Sequence, residues 1–184
     1  MIDKKEFERI KKDLAGFEKK REEVITTSRK IISASKTAIY AVQRDDLKEA
    51  EKSLKQMKTL IRSLPREAYD ANIQKVAKQE YVEAACFFSL AKSGKIPTAK
   101  ELHVDDEDFL AGLCDLTGEV VRKSVLDSIK QKYETVRRMH SFVDELYGLI
   151  MQLDLRNGEL RKKSDSIKWN LKKLDELMYD ISRK

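Results

Sequence analysis

QEYVEAACFFSLA, residues 79–91, is one of the two most apolar stretches of a highly charged chain, and two glutamates interrupt it. Around it Ile73, Val76, Glu80, Glu83, Phe87 and Leu90 follow in alternating steps of three and four. That is the repeat of a helix seam, not the two-residue alternation of a half-buried strand. On a bundle seam such positions normally hold Leu or Ile, so glutamates at its centre need an explanation. A carboxylate is costly to bury unless positive charge meets it there.

Working outward, the same period recurs on both sides. From about Lys4 to Val42 apolar residues return at helical intervals, among them Phe7, Leu14, Phe17, Val24, Ile31 and Ile39, with no Pro to break them. Asp45 and Asp46 are candidate caps for a second helix running through Leu47, Met57 and Ile61, and Pro65 ends it or starts the next. The third helix is expected from about Arg66 to Ala91, stopping in the SGK at 93–95. Pro97-Thr98 opens a short segment, and Asp105 to Asp108 supply the acidic first turn of a helix reaching about Ser128. A sixth helix runs from Tyr133 through Leu153, Asn157-Gly158 is a break, and a last helix carries Leu160 through Ile181. Nothing alternates like a strand. The expected fold is all-α, one domain over residues 1–184, an antiparallel bundle of about seven helices.

Composition agrees. Only 2 Pro and 6 Gly punctuate 184 residues, and 38% are charged, which favours long helices. No apolar run approaches the ~20 residues of a membrane span, and the opening MIDKKEFERIKK has no apolar core of a secretory signal. Cys86 and Cys114 lie inside apolar segments without CxxC spacing, as buried thiols of a cytoplasmic protein do. The net charge of +6 is unevenly spread: Lys19, Lys20, Arg21, Arg29, Lys30 and Lys36 cluster early, and a second basic group follows Arg161. That balance permits nucleic-acid binding, and it equally suits a solvated helix face.

The second apolar stretch, DFLAGLCDLTGEVV at 108–121, is interrupted by Asp115 and Glu119. Spacings of three and four put each acidic pair on one face of its helix. If the two helices pack side by side, four carboxylates converge, and their natural partner is a hard divalent cation. All-oxygen ligands without His or Cys suit Mg²⁺ or Mn²⁺, and a di-iron site would want a Glu-x-x-His that is absent here. The pattern also admits ion pairs with a residue such as Arg122 for the first pair, and plain solvent exposure for the second. Ala111, Gly112 and Gly118 are small enough to let another helix or a ligand come close.

These segments resemble the translin/TRAX family over nearly the whole chain. The resemblance rests on REEVITTSRKIISASKTAIY at 21–40, QEYVEA at 79–84, DFLAGLCDLTGEVVRKSV at 108–125 and LRNGELRKKSDSIKWNLKKLDELMYDISRK at 155–184. It implies a seven-helix fold assembling into a hollow, octamer-like shell that binds RNA or single-stranded DNA. The TRAX-type subunit is a metal-dependent endoribonuclease, and its acids carry over to Glu80, Glu83, Asp115 and Glu119. Translin-type subunits generally lack the full set, so the chain is similar to the nuclease type, while its C-terminal region is more translin-like. A compact, archaeal-type TRAX-like protein forming its own shell is the implied arrangement. The segment between Ala91 and Asp105 is shorter than in larger TRAX subunits.

The resulting expectation is an endoribonuclease in which Glu80, Glu83 and Asp115 hold Mg²⁺ or Mn²⁺ and Glu119 ligates or orients a bound water. Arg21, Arg29 and Lys30 would grip the RNA backbone. A homo-octamer with the acids on its inner wall would follow, since the last helix carries Ile167, Leu171, Leu174 and Leu177 beside Trp169 and Tyr179. The rival expectation is a non-catalytic shell that binds single-stranded DNA or RNA.

Overall fold

The computed structural model describes residues 2–65 and 69–183, apart from the side chain of Ala71, and in them the chain forms seven helices and no strand. They are α1 Lys4–Gln43, α2 Leu47–Ser63, α3 Ala71–Ser93, α4 Ala99–Leu102, α5 Asp106–Ile129, α6 Tyr133–Ile150 and α7 Glu159–Ser182. Their starts follow from local chemistry. Asp3, Asp46, Asp70 and Asp105 each accept a backbone N–H of the first turn, and Thr98 and Glu101 form a reciprocal capping box on α4. Gly94, at φ 73°, closes α3 in the left-handed conformation that glycine adopts without strain. Leu64 is extended, as the residue before Pro65 must be.

Three boundaries differ from expectation. Of the two aspartates before α2, only Asp46 caps it; Asp45 takes φ 66° in the turn and faces lysines instead. α3 begins at Ala71 under Asp70, and the expected start at Arg66 falls outside the described residues. α6 stops at Ile150, so Leu153 belongs to the turn before α7 and is exposed, as is Met151. The apolar period continues there without a surface to bury it.

α1 packs on α2 and α3, α3 on α5, and α5 on both α6 and α7. Ile31, Met57, Val82, Phe87, Leu116, Val120, Ile167 and Leu174 are fully buried and join these contacts into one core. Each such side chain contributes about 1.5–3 kcal/mol by leaving water. Gly112 sets the closest approach. A Cβ built there would lie 2.7 Å from both the Gln79 carbonyl oxygen and Val82 Cβ, so any other residue would force α3 and α5 apart. That contact brings the two acidic stretches together.

The expected seam on α3 is only partly a seam. Phe87 and Leu90 are buried, but Val76 is 45% exposed, and Ile73, Glu80 and Glu83 are half-buried. The stripe is an open slot between α1 and α5. The first five turns of α1 stand clear of the core: residues 2–20 are all exposed, including Phe7, Ile10, Leu14 and Phe17. Among the described residues no helix is long and apolar enough to cross a membrane.

Candidate acidic site

Glu80, Glu83 and Glu119 line one cleft of about 620 Å³ between α1, α3 and α5, and Lys36, Tyr40 and Arg122 form its rim. Each glutamate stands differently in it. Glu80 accepts the hydroxyl of Ser35, a fully buried residue of α1, at 2.6 Å. Glu119 accepts Nε2 of buried Gln43 at 2.7 Å, and the same amide donates to the Glu119 carbonyl oxygen at 2.9 Å. Arg122 is 3.9 Å from Glu119 and does not pair with the glutamates of α3, contrary to the ion-pair alternative raised by its position.

Glu83 makes no side-chain hydrogen bond or ion pair among the described residues. Burial, reinforced by the negative charges of Asp115, Glu80 and Glu119, pushes its carboxyl up to about 8. The carboxylates are therefore close enough to repel one another, and Glu83 holds a proton at neutral pH.

Asp115 is the fourth member, yet it does not line the cleft. Lys163 of α7 pairs with its Oδ2 and also donates to Gln79 Oε1 at 3.0 Å. Gln79 in turn donates to the buried Asp108 at 3.0 Å, so a polar chain crosses from the start of α5 through α3 to α7. Among the described residues no three His, Cys, Asp or Glu side chains come together as a metal cage. The donor set fits a hard cation in its chemistry, because it is all carboxylate and short of positive charge. In these positions its oxygens are turned toward Ser35, Gln43 and Lys163 instead.

The basic residues divide as well. Arg29 and Lys30 are exposed, form no ion pair among the described residues, and lie two helical turns before Lys36 and Thr37 on the same face of α1. Arg21 is engaged instead: it pairs with Asp70 at 3.1 Å and lies near Glu18 and Glu22. Neither histidine is at the acids: His103 is beside Arg62, and His140 bonds Asp175. The thiols of Cys86 and Cys114 are pushed up to about 12 by burial, which leaves them inert as nucleophiles.

Ser35, Gln43, Tyr40 and Lys163 are site residues that sequence reasoning did not single out. Ser35 and Gln43 left a faint signal, being polar residues on the apolar face of α1 that holds Ile31, Ala38 and Val42. Lys163 left none, one lysine among several in its stretch.

Residues 8–183 match the Translin family. The chain belongs to the translin family. It is 36% identical to translin of Gallus gallus over 80 residues, 44% of this chain and 35% of that one, so the match spans about a third of that relative. An uncharacterized protein of Methanocaldococcus jannaschii is 30% identical over 164 residues, covering 83% of this chain and 72% of its own. The translin-associated protein X homolog of Schizosaccharomyces pombe is 25% identical over 201 residues, 95% and 86% of the two chains. Among solved structures, apo-NeC3PO is similar with a TM-score of 0.87 at 29% identity, covering 96% of both chains. AfC3PO in complex with duplex RNA has the same fold, with a TM-score of 0.86 at 24% identity over 97% of this translin-family chain.

Proposed function

We propose that this chain is an endoribonuclease that binds RNA within a homo-oligomeric shell, most simply an octamer, and cleaves it with Mg²⁺ or Mn²⁺ held by carboxylates. The observation that carries this reading is the convergence of Glu80, Glu83 and Glu119 on one cleft with Lys36 and Arg122 at its rim. Acids alone would repel a phosphodiester; acids behind a basic rim suit one that arrives with a cation.

The residues divide the work. Lys36 and Arg122 meet the phosphate's negative charge, and Arg29 and Lys30 extend that attraction along α1, independently of base sequence. Ser35 and Gln43 hold Glu80 and Glu119 against rotation. Glu83, which holds a proton at neutral pH, would have to give it up to serve as a ligand. Glu80, Glu83 and Glu119 would hold the cation, with Asp115 as a fourth ligand only if Lys163 gave it up. Bound there, a divalent cation supplies charge neutralisation on the phosphorane oxygens and a lowered pKa for an attacking water. The apolar residues left exposed on α1 and α7, among them Phe7, Leu14, Phe17, Trp169 and Tyr179, suit burial against further copies.

A second reading has its own observation. Because Lys163 occupies Asp115 and no three acids among the described residues close into a cage, the same cleft suits a shell that binds nucleic acid without cutting it. Cleavage of a labelled RNA with Mg²⁺, Mn²⁺ or EDTA separates the two. We expect cleavage with metal only, its loss in Glu80→Gln, and RNA affinity nearly unchanged in that variant. Metal-independent binding without cleavage in wild-type protein favours the second reading. Light scattering should report a multiple of 21.4 kDa, and a monomer would remove the shell from both readings.

A further inference from the structure

Tyr40 is an aromatic residue lining the acidic cleft, and the core does not claim it. It is 51% exposed and shares the cleft with Glu80, Glu83 and Glu119. Along α1 it stands between Ser35 and Gln43, the two residues that hold Glu80 and Glu119. At the helical rise its Cα is displaced by about 7.5 Å from the first and about 4.5 Å from the second along the axis. The Arg44 guanidinium lies over its ring, 4.5 Å from the centroid. Lys36, one turn earlier, lines the same cleft.

We infer that Tyr40, backed by Arg44, is a platform on which an unpaired nucleobase stacks beside the phosphodiester that enters the cleft. An aromatic face interleaved with cations is the chemistry that holds single-stranded nucleic acid without reading its sequence. Paired bases keep their faces within the duplex, so a platform one residue wide favours substrate whose base next to the scissile phosphate is free. This rests on the proposed nucleic-acid function and makes Tyr40 a positioning residue for it. Arg44 has two parts: it polarises the ring from one side and offers its own plane and charge to the strand.

The experiment uses full-length protein in EDTA and a short single-stranded RNA carrying one 2-aminopurine, alongside the same RNA with that position abasic. Stacking should quench the 2-aminopurine emission on binding to wild-type protein. Tyr40→Phe should preserve the quenching, since it keeps the ring. Tyr40→Ala should abolish it and weaken binding about 5- to 100-fold, while leaving affinity for the abasic strand unchanged. Equal quenching and affinity in wild type and Tyr40→Ala overturn the platform. So does a change in assembly size in Tyr40→Ala without a base-dependent signal, which would make Tyr40 a contact between subunits. A wild-type cleavage assay with Mn²⁺ runs in parallel: cleavage with no Tyr40 signal retires the platform alone, whereas a Tyr40 signal without cleavage keeps the platform and retires the nuclease.

Discussion

Two charged clusters meet on α5 one turn apart, and they answer the cost of crowded charge in opposite ways. At one, Lys123 donates to Asp45 at 2.6 Å and to buried Asp127 at 2.8 Å, while Lys130 and Lys132 reach Asp45 from the turn before α6. At the other, Glu83 meets three carboxylates and forms no ion pair among the described residues, and the charge of Lys163 offsets them only in small part. The consequences run in opposite directions. Asp45 bears a burial cost that would raise its pKa, but hydrogen bonds from Lys123, Lys132 and Lys130 outweigh it and hold the carboxyl well below the ordinary range. Glu83, by burial and repulsion, is held far above it. A balanced cluster is a fastening: it ties the α1–α2 turn to the α5–α6 turn. An unbalanced cluster in an open cleft has a deficit that something from outside can fill, which separates structural charge from candidate functional charge.

The comparison breaks most sharply at Lys123. Lys123→Met leaves Asp127 buried without its cation, so stability in urea unfolding should fall by about 3–5 kcal/mol. Adding Asp127→Leu removes the stranded charge and should recover most of that loss. If the single variant melts like wild type, the cluster is not a fastening.

A comparable effect, spread over pH instead of present at every pH, is expected at Glu83. Between the ordinary value of 4.5 and about 8, the folded state keeps a proton that the unfolded chain releases. Stability must then decline as pH rises through that window, by up to about 1.4 kcal/mol per pH unit. Glu83→Gln should flatten the decline and make the protein more stable than wild type at pH 8. Urea melts at pH 5, 6.5 and 8 read this directly, and parallel pH profiles of the two proteins would show that the carboxylates do not crowd. Lys132→Ala should matter least. Its side chain is 45% exposed and shares Asp45 with two other lysines, so a loss below about 1 kcal/mol is expected. A loss as large as that of Lys123→Met would mean that Asp45, not Asp127, anchors the cluster.

The acids of the candidate site were legible because each pair is local. Glu80 and Glu83, or Asp115 and Glu119, share a face through helical spacing alone. Gly112, between apolar residues, already marked where another helix could come close, and it does meet α3. Gly118 looked equivalent, yet a Cβ there would meet only Asn170, at 4.0 Å. Arg21 and Arg29 looked alike too; one is spent on Asp70, while the other forms no ion pair among the described residues.

Periodicity and capping residues thus determined the helices, their order and the pairing of acids within each, since these depend on contacts only a few residues apart. Tertiary packing decided the rest. Ser35 reaches Glu80 across 45 residues, Gln43 reaches Glu119 across 76, and Lys163 reaches Asp115 across 48. Which side chain meets which over such separations depends on the rotation and register of packed helices. A shift of one residue turns a helix by about 100°, enough to aim a different side chain at the cleft. Whether a carboxylate in this chain is fastened or left in deficit was therefore settled by the close approach of α3 and α5 at Gly112 and by the seating of α1 and α7 beside them.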